Sequence, residues 1–222
     1  MKKPALILFD CDGVLIDSEL ISAESASHEL ALAGMKISPK ETLQRFLGKS
    51  RKEIAETARL AGYTVPPDFV ERLEARIRYQ FETKLRAIDS VRSVLDRAEC
   101  KICVASGSSL AYIQQALALT NLESPFEGHL FSALMVSRPK PAPDLFLYAA
   151  AAMGVEPQDC VVVEDSPSGI AAAKSDGMFV IGFTGGSHLK DDDLEADYLA
   201  LGCGAVFESM VALGRYLGDL VA

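Results

Sequence analysis

The sequence lacks an uninterrupted run of about 18 apolar residues, the length that a membrane-spanning helix requires. We therefore expect no membrane partner. Basic residues are also in deficit, with 22 Lys and Arg against 31 Asp and Glu. The resulting net charge of −9 argues against nucleic acid as the main partner. The first apolar run reaches Asp10 too soon for a secretory signal peptide, so we expect none.

Cysteine is sparse and odd in number, with five residues scattered through apolar surroundings. This usage favours reduced thiols in a cytoplasmic protein over a disulfide framework. Cys100 and Cys103 have the spacing of a redox motif, but they lead into a predicted strand rather than capping a helix. No second pair and no nearby histidine supports a zinc site. We interpret the pair as structural thiols in the core.

The 222 residues, 49% of them apolar, suit one large domain or a domain with a smaller insert. Strand and helix patterns alternate along most of the chain, which is typical of a parallel sheet flanked by helices. We therefore predict an α/β fold with a Rossmann-like core. The predicted strands are Ala5–Phe9, Ile102–Ala105, His129–Val136, Cys160–Val163 and Phe179–Phe183.

The alternation is interrupted after the first strand by more than sixty residues that contain only helical patterns. Apolar residues recur every fourth position from Phe69 to Leu85, as in one face of a long helix. We predict a four-helix-bundle cap domain over residues 17–87, with a core domain formed by residues 1–16 and 88–222. The alternative is that these helices simply cover the sheet.

Two acidic residues, Asp10 and Asp12, directly follow the first predicted strand. Parallel sheets bind ligands beyond the carboxyl ends of their strands, where these two residues would lie. Two carboxylates this close repel each other unless a cation lies between them, and a hard divalent ion such as Mg²⁺ prefers oxygen ligands. A solvated turn is the simpler alternative. A calcium loop does not fit, because Val14 and Leu15 occupy positions where it needs a ligand and a glycine.

Other strand ends and one loop carry polar residues that complement the two aspartates: Ser106, Lys140, Glu164 and Asp165. This set suits phosphoryl transfer. A carboxylate can attack phosphorus, while a lysine and a hydroxyl hold the phosphoryl oxygens as charge spreads in the transition state. A magnesium ion can neutralise the same oxygens, and a second carboxylate can carry the proton.

In these residues the chain resembles the haloacid dehalogenase superfamily of phosphohydrolases, in the branch whose helical cap follows the first strand. The resemblance covers essentially the whole chain. Its four motifs match, in order, at Asp10–Leu15, Ser106–Ser108, Lys140–Asp144 and Val163–Gly169. The continuation Asp17-Ser18-Glu19 is typical of this branch.

The resemblance implies a magnesium site and an acid–base pair. Asp10 would be the nucleophile and a magnesium ligand. Asp12 would be the general acid/base and would give its backbone carbonyl to the metal. Asp165 would bind the metal directly, and Glu164 would bind it through water.

The resemblance also implies a grip on the phosphoryl group by Ser106 and Lys140. Gly107 and Ser108 would complete the second motif and contact the substrate. Gly107 stands where the family frequently has asparagine, so the contact made by that side chain is missing here.

Two alternatives to a phosphatase remain. The family's hexose-phosphate mutases, of the β-phosphoglucomutase type, carry a histidine ten residues after the general acid, and Ser22 stands there in this chain. A non-enzymatic aspartyl-phosphate switch also uses acids, a hydroxyl and a lysine, but it carries neither a cap nor the proton carrier Asp12. The family's dehalogenases and phosphonate hydrolases lack the second aspartate, so Asp12 argues against both.

The turn Gly48–Arg51 lies between two predicted cap helices, and Ser50 begins a capping box with Glu53. We expect Lys49, Ser50 and Arg51 to bind a distal anionic or hydroxyl-rich part of the substrate. Two ordinary solvated cations are the simpler alternative.

The sequence thus predicts a magnesium-dependent phosphatase that acts on a sugar phosphate or a sugar-acid phosphate. We expect it to be cytoplasmic and to be a monomer or a weak homodimer.

Overall fold

The structure is a computed structural model that describes residues 3–190 and 192–219. The chain divides into two compact units. One contains Met1–Asp17 and Arg86–Ala222, and the other contains Ser18–Leu85. Within the described residues the α-helices are α1 (Glu19–Leu32), α2 (Pro39–Phe46), α3 (Arg51–Leu60), α4 (Phe69–Lys84), α5 (Val91–Asp96), α6 (Leu110–Leu119), α7 (Asp144–Met153), α8 (Pro167–Lys174), α9 (Glu195–Leu201) and α10 (Met210–Asp219).

The larger unit is built on a parallel sheet that has six strands in the described part of the chain. The strands are β1 (Leu6–Phe9), β2 (Lys101–Ser106), β3 (Leu130–Ser132), β4 (Cys160–Glu164), β5 (Phe179–Phe183) and β6 (Ala205–Phe207). Their order across the sheet is β3-β2-β1-β4-β5-β6, so β1 lies between β2 and β4. The predicted α/β fold with a parallel sheet is confirmed.

The two faces of the sheet bury alternate residues of each strand, as the two-residue period requires. Leu6 and Leu8 of β1 lie in a buried cluster with residues of α7 and α8, such as Phe146 and Ile170. Phe9 points to the opposite face, where its ring meets Phe126 edge-on. Burial on both faces explains why β1 is continuously apolar.

Two strands differ from the prediction. The segment predicted as one strand over His129–Val136 forms only the three residues of β3, followed by a 3-10 helix at Ala133–Met135. The Ser132 hydroxyl causes the break, because it accepts a hydrogen bond from Leu134 N at 3.2 Å. The strand β6 was not predicted, since its three half-buried residues at the sheet edge give little apolar signal.

The five cysteines are free thiols, and all but Cys100 are buried. Cys103 and Cys160 belong to the same core cluster, on β2 and β4. Burial raises the pKa of the Cys160 thiol to about 11. These two thiols are therefore protonated and unreactive near neutral pH, in agreement with a structural role. The prediction is wrong for Cys100, which is only partly buried because it lies just before β2 rather than within it.

The smaller unit, residues 18–85, contains α1 to α4, and every one of its residues is described. The apolar stripe of α4 is buried, as its four-residue repeat predicts. Helix α3 begins with the predicted capping box, in which Ser50 Oγ accepts from Glu53 N and Glu53 Oε2 accepts from Ser50 N. Buried Glu29 of α1 is paired with two arginines of α4, Arg72 at 2.8 Å and Arg76 at 3.0 Å.

In the part of the chain that the structure describes, no helix is both long enough and apolar enough to cross a membrane.

Candidate active site

The site begins where β1 ends. Phe9 pairs with Val104 of β2 and Val163 of β4, and Asp10 N continues the pairing by donating to Val163 O at 3.0 Å. This register places Asp10 beside the ends of both neighbouring strands. The Asp10 side chain is 10% exposed. The sheet thus fixes the backbone of Asp10, and its carboxylate is largely shielded from solvent.

Lys140 connects three segments at this edge of the sheet. Its Nζ donates to Asp10 Oδ1 at 2.6 Å, to Glu164 Oε1 at 2.5 Å and to Ala105 O at 3.1 Å. The Lys140 side chain is only 10% exposed. The ion pair Arg138–Asp144, at 2.6 Å, spans the loop that carries the lysine into α7. The structure therefore brings Asp10, Lys140 and Glu164 together as the sequence predicts.

Both oxygens of Glu164 are engaged by neighbouring residues. Oε1 accepts from Lys140, while Oε2 accepts from the backbone N and the hydroxyl of Ser166, both at 2.9 Å. The glycine at position 169 makes room for this carboxylate, since a Cβ there would lie 1.8 Å from Glu164 Oε1. Glu164 is therefore an anchor for Lys140 and for the start of α8.

The charges at this edge act on one another strongly because the site is buried. Burial, with the neighbouring acids, raises the pKa of Asp10 well above its usual range, although Lys140 opposes the shift. The pKa of Asp165 is raised in the same way, by burial and then by Glu164. Burial alone would lower the pKa of Lys140, but the charges of Asp10 and Glu164 outweigh it and raise that pKa. An added cation would stabilise the two ionised aspartates.

Asp165 has the surroundings expected of a metal ligand. It is 3% exposed, and its backbone carbonyl accepts a hydrogen bond from the Tyr198 hydroxyl. Its Oδ2 is buried and accepts no hydrogen bond from the described residues, although His188 Nε2 lies 3.1 Å away. Gly13, at φ +75°, allows Asp165 Oδ2 to lie close to the backbone of the turn after β1, because a Cβ at position 13 would lie 1.8 Å from that oxygen.

A magnesium ion fits the donor set at this edge. Within the described residues, no three carboxylate, histidine or cysteine side chains already form a metal cage. The predicted set needs fewer, since it uses the side chains of Asp10 and Asp165 and the carbonyl of Asp12. These are hard oxygen donors of the kind that magnesium prefers. The buried Oδ2 of Asp165 accepts no hydrogen bond from the described residues, so a bound cation would satisfy it.

Asp12 lies in the turn after β1 and is held by two hydroxyls. Ser108 Oγ donates to Asp12 Oδ2 at 2.9 Å, and the Tyr112 hydroxyl donates to Asp12 Oδ1 at 2.6 Å. Ser106, buried at the end of β2, accepts from Ser108 N at 3.1 Å. A Cβ at Gly107 would meet open space, so sterics do not require glycine there.

Two residues near the site, Tyr112 and His188, were not among the predicted site residues. Tyr112 lies in the first turn of α6, four residues beyond the second motif, and its place just after that motif was the available signal. His188 follows Gly185 and Gly186 after β5, and it is buried. A lone histidine after a glycine pair was the available signal.

The predicted substrate-binding residues Lys49, Ser50 and Arg51 belong to the smaller unit. Ser50 caps α3, and Arg51 is the first residue of that helix. Lys49 Nζ lies 5.6 Å from the centroid of the Phe46 ring. Their place at a helix start agrees with the expected turn, while their contact with substrate stays a prediction.

The fold and this edge define a class of α/β proteins with acidic residues at the carboxyl ends of parallel strands. A sequence model of haloacid dehalogenase-like hydrolases matches residues 4–177. A 6-phosphogluconate phosphatase of Escherichia coli (strain K12) is 31% identical over 192 residues, which cover 86% of this chain and 87% of that protein. The chain therefore belongs to the haloacid dehalogenase-like hydrolase family, as its motifs predict.

Solved structures agree with this assignment. A haloacid dehalogenase-like protein of unknown function from Agrobacterium tumefaciens has a TM-score of 0.85 and 36% identity, and the match covers 98% of this chain and 99% of that one. A hydrolase of the same family from Deinococcus radiodurans, crystallised with bound phosphate and sodium, has a TM-score of 0.80 and 29% identity. That match covers 100% of this chain and 98% of the other.

Proposed function

We propose that the protein is a magnesium-dependent phosphatase that hydrolyses a small phosphorylated metabolite, a sugar phosphate or a sugar-acid phosphate. The observation that carries the proposal is the buried cluster in which Lys140 contacts Asp10 and Glu164, with Asp12 held two residues further on. The similarity to a 6-phosphogluconate phosphatase supports the substrate class.

In the first half of the reaction, a carboxylate oxygen of Asp10 attacks phosphorus and forms an aspartyl-phosphate. The P–O bond to the substrate alcohol breaks, and Asp12 gives its proton to the leaving oxygen. Lys140 and Ser106 hold the phosphoryl oxygens in position. Asp10, Asp165 and the Asp12 carbonyl would hold a magnesium ion, which would neutralise charge on these oxygens.

In the second half, water attacks the aspartyl-phosphate and Asp12 takes its proton, so that inorganic phosphate is released and Asp10 is regenerated. Both Glu164 oxygens accept hydrogen bonds from the protein, Oε1 from Lys140 and Oε2 from Ser166. We therefore assign Glu164 chiefly to positioning Lys140, with a water-bridged contact to the metal as its lesser role. Ser22 in α1, in place of the histidine of the mutase branch, favours hydrolysis over isomerisation.

We further propose that residues 18–85 act as a cap whose Lys49–Arg51 turn selects the substrate. Helix α3 begins there, and the positive end of its dipole, beside the cations Lys49 and Arg51, favours an anionic group. Closure of such a cap would exclude water from the phosphoryl group.

A phosphate-release screen over phosphorylated metabolites, with p-nitrophenyl phosphate as a general substrate, tests the proposal. We expect continuous, magnesium-dependent turnover with preference for a sugar or sugar-acid phosphate. A single round of protein phosphorylation without continuous release would instead indicate an aspartyl-phosphate switch. Interconversion of hexose phosphates without phosphate release would indicate a mutase.

A further inference from the structure

The Asp12 carboxylate receives a hydroxyl donor at each oxygen, from Tyr112 at 2.6 Å and from Ser108 at 2.9 Å. Tyr112 lies outside all four motifs. We propose that Tyr112 is a positioning residue that, together with Ser108, sets the orientation of Asp12 for proton transfer to the leaving oxygen. This inference rests on the proposed phosphatase function, and it assigns a role to a residue that the reaction scheme does not otherwise use.

The two donors are themselves fixed by the end of β2 and the start of α6. Ser108 N donates to Ser106 Oγ at 3.1 Å, and Ser108 O accepts from Ser132 Oγ at 2.7 Å. Tyr112 N donates to Ser109 Oγ, the cap of α6, at 3.4 Å. The hydroxyls therefore reach Asp12 from a backbone that is held in place on both sides.

Asp12 needs such support more than Asp10 does. Asp10 is buried and ion-paired with Lys140, whereas Asp12 is partly exposed on a turn. A general acid must lie within hydrogen-bond reach of the atom that it protonates. Misplacement by about 1 Å can cost roughly a hundredfold in rate, so restricting this carboxylate has a kinetic effect.

The leaving group decides how much that effect shows. In the first half-reaction the Asp10–phosphorus bond forms, the phosphorus–oxygen bond to the leaving group breaks, and the Asp12 proton goes to that oxygen. p-Nitrophenolate is a stable anion and leaves without a proton, whereas phenolate is more basic and gains from one. The value of kcat/KM reports this half-reaction, because it ends at the first irreversible step.

The test compares Tyr112→Phe with wild type on p-nitrophenyl phosphate and phenyl phosphate, two substrates of nearly the same shape. Phenylalanine keeps the ring and removes only the hydroxyl. We expect kcat/KM for phenyl phosphate to fall about tenfold, the scale of one lost hydrogen bond to a charged group. The value for p-nitrophenyl phosphate should change by less than about threefold.

Two controls separate positioning from a structural role. Tyr148→Phe removes a hydroxyl from a half-exposed tyrosine packed on Phe131, and it should leave both substrates unchanged. In an Asp12→Asn background, adding Tyr112→Phe should have no further effect on phenyl phosphate, because the residue through which Tyr112 acts is already lost.

Equal losses on the two substrates would overturn the inference, as would a loss that persists in the Asp12→Asn background. Faster turnover of phenyl phosphate by Tyr112→Phe would also overturn it, since the contact would then hold Asp12 away from its working position. A wild-type protein that releases no phosphate from any substrate would refute the proposed function itself. A wild-type phosphatase whose Tyr112→Phe variant keeps the wild-type ratio would refute only the role of Tyr112.

Discussion

A single lysine illustrates how the site concentrates charge. Lys140 contacts carboxylates from the ends of two neighbouring strands, and all three side chains are at most 10% exposed. Removing one charged partner from such a group leaves the others buried and uncompensated. Substitutions here are therefore expected to act on chemistry and stability together, and each test needs a measurement of folding.

Asp10→Asn should abolish turnover. The amide keeps the shape of the side chain but removes the attacking charge and weakens a metal ligand, so the loss should be about a thousandfold or more. Steady-state phosphate release measures it, with thermal unfolding as the check on folding. Beryllium fluoride with magnesium should inhibit the wild type by imitating a phosphoryl group on Asp10. Activity of more than about a tenth of wild type in Asp10→Asn would refute the nucleophile assignment.

Gly13 and Gly177 offer a matched pair, since both have φ +75° but only Gly13 faces a neighbour. Gly177→Ala should cost about 1–2 kcal/mol of stability from left-handed strain alone and keep its response to magnesium. Gly13→Ala should lose a similar amount of stability from strain and should also displace Asp165 Oδ2. We therefore expect Gly13→Ala to lose the magnesium-dependent rise in Tm and most of its activity. Equal behaviour of the two variants would contradict the close approach of Gly13 to Asp165.

At the scale of elements, the strands and helices with a strong apolar pattern form as that pattern predicts. The apolar run of β1 and the four-residue stripe of α4 are recovered as predicted. The short strand β6 was not predicted, because its residues lie at the sheet edge, are only half buried and give little apolar signal. The predicted strand over His129–Val136 was too long, since Ser132 turns the backbone into a 3-10 helix through its hydroxyl.

Site residues followed the same division. Asp10 and Glu164 could be predicted to meet, because strand ends of one parallel sheet share an edge. Lys140 lies in a loop, and its place beside them was indicated by the third motif of the family. The contact of Tyr112 with Asp12 could not be predicted, since it depends on where the long tyrosine side chain places its hydroxyl rather than on the backbone position. His188 depends on the loop after β5, whose course no periodicity in the sequence specifies.

Helix α3 carries the prediction for the smaller unit. Arg51, its first residue, can grip a carboxylate or phosphate with two parallel hydrogen bonds. Arg51→Ala should raise KM and lower kcat/KM about tenfold or more for the best metabolite found in the screen. It should barely affect p-nitrophenyl phosphate, which has no distal group to hold.

Lys52→Ala is the matched control for Arg51, because Lys52 is the next residue of α3 and is exposed. It should leave both substrates unchanged. Equal losses of Arg51→Ala on both substrates would assign Arg51 to the fold or the chemistry. No loss on either substrate would make it an ordinary surface cation.

At the scale of the whole molecule, the sheet order gathers residues that are distant in sequence. Strand β1 lies between β2 and β4, so its end meets the ends of both. Asp10 and Lys140 are 130 positions apart in the chain, yet their charged atoms lie 2.6 Å apart. Forming the site therefore requires the complete central sheet, and a ligand of the site should stabilise that sheet as a unit.

Magnesium should stabilise the protein in a pH-dependent way. Without metal, burial raises the pKa of Asp10 and of Asp165, so the folded state binds more protons than the unfolded state. Their contribution to stability then falls as pH rises from the unfolded Asp value of about 4 toward the raised values. Magnesium competes with these protons and offsets the repulsion, so its effect should grow with pH.

Thermal unfolding with and without magnesium, at about pH 5 and about pH 8, measures how this effect changes with pH. At a concentration about a hundred times Kd the ion should add about 2.7 kcal/mol, or roughly 5–10 °C in Tm, at the higher pH. The increment should be smaller at the lower pH and absent in Asp165→Asn, which removes one ligand charge and keeps the shape. Equal increments at the two pH values, or an unchanged increment in Asp165→Asn, would show that magnesium acts somewhere other than this edge of the sheet.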